Sequence, residues 1–285
     1  MLEMLINPKR AERRSWEMFF VGLVYASLAF LLVNWIFAQD AVLSKYSGIL
    51  IVTFCVMFSM PFIYYSIKLE EEKNFKIEGF FRVLREHNKA LLAFMWLFMG
   101  FIVAFSFWYL VMPSENSFRA QIETYCMINR PANFNECVEQ YGIKTKVSPT
   151  GFLTAKEKLI AIFTNNVYVL IFTLIFSLIF GAGAIFILAW NASVISAAIG
   201  IFSKAGLSNL PLGVARFMTH GFFEIGAYFT GALAGGIISV AIIRHDTKTE
   251  KFWTILQDSL NLIILSVILL FFAALIEVFI TPALF

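Results

Sequence analysis

Six apolar runs, each at least 20 residues long, constrain this chain more than any other feature of its sequence. A helix of about 20 residues crosses the roughly 30 Å hydrocarbon core of a bilayer and satisfies its own backbone hydrogen bonds there. With 60% hydrophobic residues and a mean hydropathy of +0.78, a soluble fold would leave too much apolar surface in water. The sequence therefore predicts an all-α, polytopic membrane protein. The predicted spans are Met18–Phe37, Gly48–Ile67, Ala90–Met112, Val167–Trp190, Phe217–Ile243 and Leu256–Ile280.

A shorter apolar segment, Ala192–Phe202, leaves the number of crossings open. Its 11 residues cover only about half of the bilayer. A short or tilted crossing gives seven membrane-spanning helices, which agrees with the charges of the loops. The alternative is six crossings, with Ala192–Phe202 as part of a re-entrant segment.

Basic residues predict which side of the membrane each loop faces. Four Lys or Arg residues precede the first span, six lie in Lys68–Lys89 and three in Arg244–Lys251. Because short cytoplasmic loops are enriched in Lys and Arg, we expect these segments and the N-terminus in the cytoplasm, with the protein in the cell membrane. The C-terminus, Ala38–Ser47 and the long segment Pro113–Glu157 are then expected outside.

An amphipathic pattern follows the second span. Its apolar stripe is Ile77, Phe80, Phe81 and Leu84, and the opposite side has Arg82, Arg85 and Lys89. This spacing predicts a cytoplasmic helix on the membrane surface, either a plain connector or a docking surface for a partner. Two more interfacial segments are predicted, one at Pro8–Arg14 and one that begins at the capping box Thr154–Glu157.

The order of spans predicts one integrated domain with two membrane halves. Residues 1–112 form the N-terminal half, residues 113–157 the exoplasmic loop and residues 158–285 the C-terminal half. The loop contains Cys126 and Cys137, and two cysteines in one short segment outside the cytosol favour a disulfide. Two free thiols are the alternative.

The segment Thr219–Glu224 places a histidine and a carboxylate one helical turn apart inside a predicted span. A charged carboxylate at the bilayer centre costs about 2.5–3.5 kcal/mol on insertion scales, so His220 and Glu224 are functional-site candidates. Gly231 and Gly235 continue the same face, and such small residues allow another helix to approach closely. We therefore expect the pair to face other helices, as a hydrogen-bonded clamp, a proton or ion relay, or metal ligands.

Asparagines at the ends of the fourth predicted span are the expected partners of this pair. Asn191 lies at a predicted helix break and is the favoured partner, whereas Asn165 and Asn166 are either partners or caps of the helix start. Glu277, near the outer end of the last span, is expected to reach the interface. The predicted helix-packing positions are Gly181, Gly183, Gly221, Gly231 and Gly235.

Sequence motifs of several enzyme classes are missing. There is no His-Glu-x-x-His helix, no Gly-x-Ser-x-Gly elbow and no phosphate-binding Gly-rich loop. There is also no pair of closely spaced cysteine pairs for zinc and no basic patch interleaved with aromatic residues. We expect no enzymatic activity, cofactor, metal or nucleic acid. The expected partners are the lipid bilayer, proteins at the amphipathic helix or the exoplasmic loop, and a second copy of the chain.

Several of these motifs occur together in one known family. Asn165-Asn166 opens a span, Gly181 and Gly183 lie within it, Asn191 ends it, and His220-Gly221-x-x-Glu224 is followed by Gly231 and Gly235. In these features residues 161–243 resemble the stage II sporulation protein M family, although Thr219 replaces its usual proline. The resemblance implies a multi-pass membrane protein. Relatives in sporulating bacteria act in membrane migration around the forespore, with partners that degrade peptidoglycan.

Two functions are consistent with this sequence. In the first, the protein is a non-enzymatic scaffold that organises partners or shapes the membrane, and the scarcity of charge in most spans supports it. In the second, it is a channel or permease with His220 and Glu224 in a polar path. The short segment Ala192–Phe202 supports the second, because broken helices mark transport sites. A cavity that reaches His220 would favour the channel or permease over the scaffold.

Overall fold

The computed structural model describes residues 8–37, 39–72, 80–112, 116–129, 134–140, 154–180, 184–203, 210–243 and 250–285. Regular structure within these ranges is entirely helical. The helices are α1 Pro8–Arg13, α2 Glu17–Phe37, α3 Ser47–Glu72, α4 Phe80–Val111, α5 Arg119–Asn129, α6 Phe134–Gln140, α7 Ala155–Phe180, α8 Ile185–Ser203, α9 Leu210–Ile243, α10 Glu250–Leu275 and α11 Thr281–Leu284. A short 3-10 turn at Leu43–Tyr46 precedes α3, and a π-helical turn at Ile276–Ile280 joins α10 to α11.

Seven helices of the described chain are long and apolar enough to cross a membrane. They are α2, α3, α4, α7, α8, α9, and α10 with its continuation to Leu284. The predicted fold class, an all-α polytopic membrane protein, is confirmed.

One predicted span divides in two. Val167–Trp190 is not a single helix, because α7 ends at Phe180 and α8 begins at Ile185. The half-length segment Ala192–Phe202 is the C-terminal part of α8, whose 19 residues are enough for a crossing. The length of α8 thus favours the seven-crossing alternative. Hydropathy alone missed the boundary because no polar residue interrupts the apolar run there.

The predicted amphipathic helix is not a separate element. Phe80, Phe81 and Leu84 form the first turns of α4, which continues without a break to Val111, and Ile77 lies outside the described residues. The capping box forms as predicted, with the Thr154 backbone N–H donating to Glu157 Oε2 at 2.7 Å. However, the helix that it opens is α7 itself, so this segment too begins a membrane span.

Helix α9 lies at the centre of the bundle. It packs against α3, α4, α7, α8 and α10, and 89% of its apolar window is buried. Its 34 residues extend over about 51 Å, well beyond the roughly 30 Å hydrocarbon layer. The C-terminal half of α9 therefore faces other helices on nearly all sides, whereas most residues of its first half are half-buried or exposed.

The two helices between the third and fourth spans are fixed to the bundle. Cys126 in α5 and Cys137 in α6 form a disulfide. The Gln121 side-chain amide donates to the Gly48 carbonyl at 2.9 Å and to Ser193 Oγ at 3.2 Å, which ties α5 to the beginning of α3 and to the middle of α8. This helical pair is consequently a braced cap on one end of the bundle.

Loss of the disulfide is expected to loosen this cap. The bond closes a ring with a sequence separation of 11 residues. Such a ring stabilises a fold by roughly 2–3 kcal/mol, because it lowers the conformational entropy of the unfolded chain. Cys126→Ser is expected to lower the Tm in detergent, and reductant is expected to lower the wild-type Tm to the same value. Cys55→Ala is the control, because Cys55 is a buried free thiol and its variant should keep the response to reductant. A wild-type Tm that reductant leaves unchanged would contradict the prediction.

Candidate functional site

A cavity of about 720 Å³ lies between α7, α8, α9 and the end of the last span. All five polar residues that the sequence singled out line it, and these are Asn165, Asn166, Asn191, His220 and Glu224. Residues of α7 and of α8 thus lie around the His-Gly-x-x-Glu motif of α9.

Four cavity-lining residues follow each other along one face of α9. Arg216, His220, Glu224 and Tyr228 are spaced by four residues, close to one helical turn. The rise from Arg216 to Glu224 is about 12 Å. The face therefore presents a cation near the beginning of α9 and a carboxylate two turns deeper.

Glu224 has a direct partner on α7. The Asn166 side-chain amide donates to Glu224 Oε1 at 2.6 Å, and Asn166 is buried. Asn166 is not a cap of the helix start, since α7 begins eleven residues earlier, at Ala155. Asn165 is exposed and lies next to it at the edge of the cavity.

Asn191 is not the third member of the hydrogen-bonded group. Its side-chain amide donates to the Ile187 carbonyl at 2.8 Å, within its own helix. The sequence suggested otherwise because Asn191 was placed at a helix break, whereas it lies inside α8. Asn191 contributes to the cavity as a wall residue and not as a ligand of Glu224.

Glu277 belongs to the cavity and not to the membrane interface. It lies in the π-helical turn Ile276–Ile280, lines the cavity and interacts electrostatically with Glu224. On the following turn, Thr281 Oγ1 is 3.4 Å from His220 Nδ1. A π turn inserts an extra residue and is frequent at functional sites. The only sequence signal for this arrangement was a carboxylate inside the last span.

The cavity opens at one end and is closed at the other. Lys158 and Pro282, both exposed, line it where α7 begins and the last span ends. Tyr125 and Met127 of the disulfide-braced cap line the same region. In α9, the lining described by the structure ends at Tyr228, so the cavity stops about halfway along the bundle.

Close helix packing forms the floor of the cavity. A Cβ atom at Gly231 would collide with Leu170 Cδ1, and one at Gly235 would lie 2.9 Å from Ser177 Cβ and 3.0 Å from the Leu174 carbonyl. Both glycines therefore hold α9 against α7, as their spacing indicated. Gly221 does not, because its Cβ would meet only Met218 of its own helix, at 3.2 Å. Gly181 and Gly183 lie outside the described residues.

A second polar contact lies at the opposite end of the bundle. His87 Nδ1 is 2.6 Å from Glu70 Oε2, and both side chains are fully buried. Asp258 in α10 interacts electrostatically with His87. The sequence did not reveal this contact because both residues lie next to a charged loop, where carboxylates and imidazoles are usually solvated. Among the described residues, no group of three or more His, Cys, Asp or Glu side chains is arranged to hold a metal ion.

Comparison with known proteins identifies the family. The model of the family described as stage II sporulation protein M matches residues 50–282, which is most of the chain. The chain belongs to the stage II sporulation protein M family. The match begins in α3, so the second and third spans and the cysteine-containing cap are part of the family region, contrary to the narrower resemblance over residues 161–243.

The chain is also similar to one curated protein over part of its length. An uncharacterized protein of Methanocaldococcus jannaschii is 37% identical over 127 residues, which are 43% of this chain and 70% of that protein. No solved structure matches the chain.

Proposed function

We propose that this member of the stage II sporulation protein M family is a solute-binding membrane protein of the permease type, whose site is the cavity around Glu224. The observation on which the proposal depends is a cavity of about 720 Å³ that reaches His220 and Glu224. Ligand cavities typically measure about 300–1,000 Å³, so the volume fits a small solute. Ionisable side chains line the cavity among apolar ones, and ionisable groups inside membrane spans usually mark substrate or ion pathways.

The one-sided opening supports a permease over an open channel. Beyond Tyr228, the packing of Gly231 and Gly235 against α7 leaves no room for a Cβ atom. A solute that enters from the open end would stop near the middle of the bundle. Secondary transporters bind solutes near the bilayer midplane and then expose the site to the other side, and this cavity has the geometry of one such state.

The open end is proposed to be exoplasmic. Seven crossings with a cytoplasmic N-terminus place the disulfide-braced cap and the C-terminus outside, and the mouth of the cavity lies beside both. The positive charges near the N-terminus and in Lys68–Lys89 support this orientation in a cell membrane.

Cysteine labelling tests whether the cavity is open and on which side of the membrane it opens. Ile195 lines the cavity, whereas Ile199, one turn further on α8, is fully buried and does not. Ile195→Cys is expected to react with a membrane-impermeant maleimide added from outside, and Ile199→Cys, the matched control, is expected to remain unlabelled. Native background is low, because Cys55 is buried and the other two cysteines form a disulfide. Labelling of Ile195→Cys only from the cytoplasmic side would invert the topology.

A panel of solutes tests the proposed function without a known substrate. Cationic, anionic, zwitterionic and neutral polar solutes are added to the purified protein, and the Tm of the wild type is compared with that of Glu224→Gln. Ligands that bind only the folded state raise the Tm. At least one class is expected to stabilise the wild type and not the variant. A wild type that responds to none of the four classes would contradict the proposal.

The second candidate is a non-enzymatic scaffold. The braced cap of α5 and α6 favours it, because this rigid pair presents exposed residues such as Glu136 and Glu139 outside the bundle. Protein partners or a second copy of the chain would dock there or on the cytoplasmic side. In this case the cavity serves only helix packing, and the solute panel has no effect on the Tm.

A further inference from the structure

We infer that the solute is a zwitterion, with its ammonium group held inward by Glu224 and Glu277 and its anionic group held outward by Lys158 and Arg216. The inference rests on the proposed function and specifies its substrate class. The argument depends on four charged side chains that line one cavity. Glu224 lies two turns into α9 from Arg216, beside Asn166, which lies two turns into α7 from Lys158.

The inner end of the cavity favours a cation. Glu224 and Glu277 both line it and interact electrostatically with each other. Asn166 donates one hydrogen bond to Glu224, while no described residue forms a salt bridge or hydrogen bond with Glu277. Two neighbouring carboxylates relieve their repulsion by taking up a proton or by binding a positive group between them. An ammonium group supplies that charge and three N–H donors.

The outer end favours an anion. Lys158 on α7 and Arg216 on α9 line the cavity near its mouth. Within the described residues neither forms a salt bridge, and Lys158 interacts electrostatically with Glu277 at longer range. The Arg216 guanidinium lies 5.9 Å from the centroid of the Phe202 ring, and a cation–π contact of this kind holds a guanidinium in place. A carboxylate or phosphate at the mouth would meet both cations.

The order of charges disfavours solutes with only one sign of charge. A simple cation would have to pass Lys158 and Arg216, and a simple anion would have to lie against Glu224 and Glu277. The helix rises about 12 Å between Arg216 and Glu224. A dipeptide or short peptide, with its ammonium end first, is long enough to span this separation.

Blocked derivatives of the same molecules test the charge requirement. The probes are a pool of alanine, leucine, glutamine and phenylalanine with their dipeptides, the matching C-terminal amides, and the matching N-acetyl derivatives. The free pool is expected to raise the wild-type Tm by about 5 °C near saturation. The amides lack the anionic group and the N-acetyl derivatives lack the ammonium group, so each blocked pool is expected to give less than half of that shift.

Charge variants locate the two ends. Glu277→Gln is expected to abolish the response to the free pool, and Lys158→Gln to reduce it by at least half. The matched controls are Glu139→Gln and Lys156→Gln, because both residues are exposed and lie outside the cavity lining. They are expected to respond as the wild type does.

A short-chain phosphatidylethanolamine is the last probe, since a lipid headgroup offers the same pair of charges. Stabilisation by this lipid alone, lost in Glu277→Gln, supports the charge arrangement and assigns the site to a headgroup. An equal response to the free and amidated pools, or to the free and acetylated pools, overturns the inference while leaving a solute-binding cavity. No response to any pool, to the lipid or to the wider panel of solutes overturns the proposed function as well.

Discussion

Glu224→Ala is expected to abolish stabilisation by solute and also to weaken the fold. The alanine removes the acceptor of the Asn166 hydrogen bond and leaves a buried amide unpaired, which costs about 1–3 kcal/mol. It also removes one of the two carboxylates of the cavity. Thermal unfolding in detergent, with and without solute, measures both effects in one experiment.

Glu224→Gln separates the two roles. The glutamine Oε1 can still accept the hydrogen bond from Asn166, so its Tm without solute is expected to stay close to that of the wild type. Its response to solute is expected to be lost because the charge is gone. If Glu224→Gln responds to solute as the wild type does, the carboxylate has only a structural role. Glu277→Gln is expected to cost less stability than Glu224→Ala, since no described residue forms a hydrogen bond with Glu277. Like Glu224→Gln, it should lose the response to solute.

Gly100→Ala is expected to destabilise the bundle by about 3 kcal/mol or more. Gly100 on α4 crosses Gly22 on α2 with the two backbones in contact. A Cβ atom at Gly100 would collide with the Phe19 carbonyl and would lie 2.9 Å from Gly22 Cα and 2.9 Å from Leu23 N. These are backbone atoms, so no side chain can rotate away to make room.

Gly226→Ala is the matched control for this substitution. It changes the same residue type in the middle of α9, where a new Cβ would find nothing within 4 Å. Alanine has a higher helix propensity than glycine, so this variant is expected to be up to roughly 1 kcal/mol more stable. The measurement is the Tm of both variants in the same detergent. Equal Tm values would show that the α2–α4 crossing can widen freely.

The spans were predictable because hydropathy measures the property that a bilayer selects. The boundary between α7 and α8 was not, since the run from Val167 to Phe202 is interrupted by no charge and by one amide only. Where such a run turns depends on tertiary packing. Because of this error, Asn191 was predicted at a helix end, although it lies inside α8. It was therefore wrongly predicted to be the partner of Glu224.

The site was predictable in its ionisable centre and in the asparagines that line the cavity, but not in Glu277. His220 and Glu224 stood out because charge inside a span is costly. The contribution of Glu277 depends on the π turn, which shifts the register of the last span in a way that residue types do not indicate. The Glu70–His87 pair and the Gly22–Gly100 crossing join distant helices, and neither has a local motif.

Counterflow in proteoliposomes tests the central claim most directly. Vesicles with the purified wild type or with Glu224→Gln are loaded with an unlabelled cationic, anionic, zwitterionic or neutral polar solute, and entry of the same radiolabelled solute is followed. The account predicts counterflow of one class, the zwitterions, in wild-type vesicles, and none above protein-free vesicles with Glu224→Gln. Wild-type vesicles that show no counterflow of any class, or the same counterflow as Glu224→Gln, would contradict it.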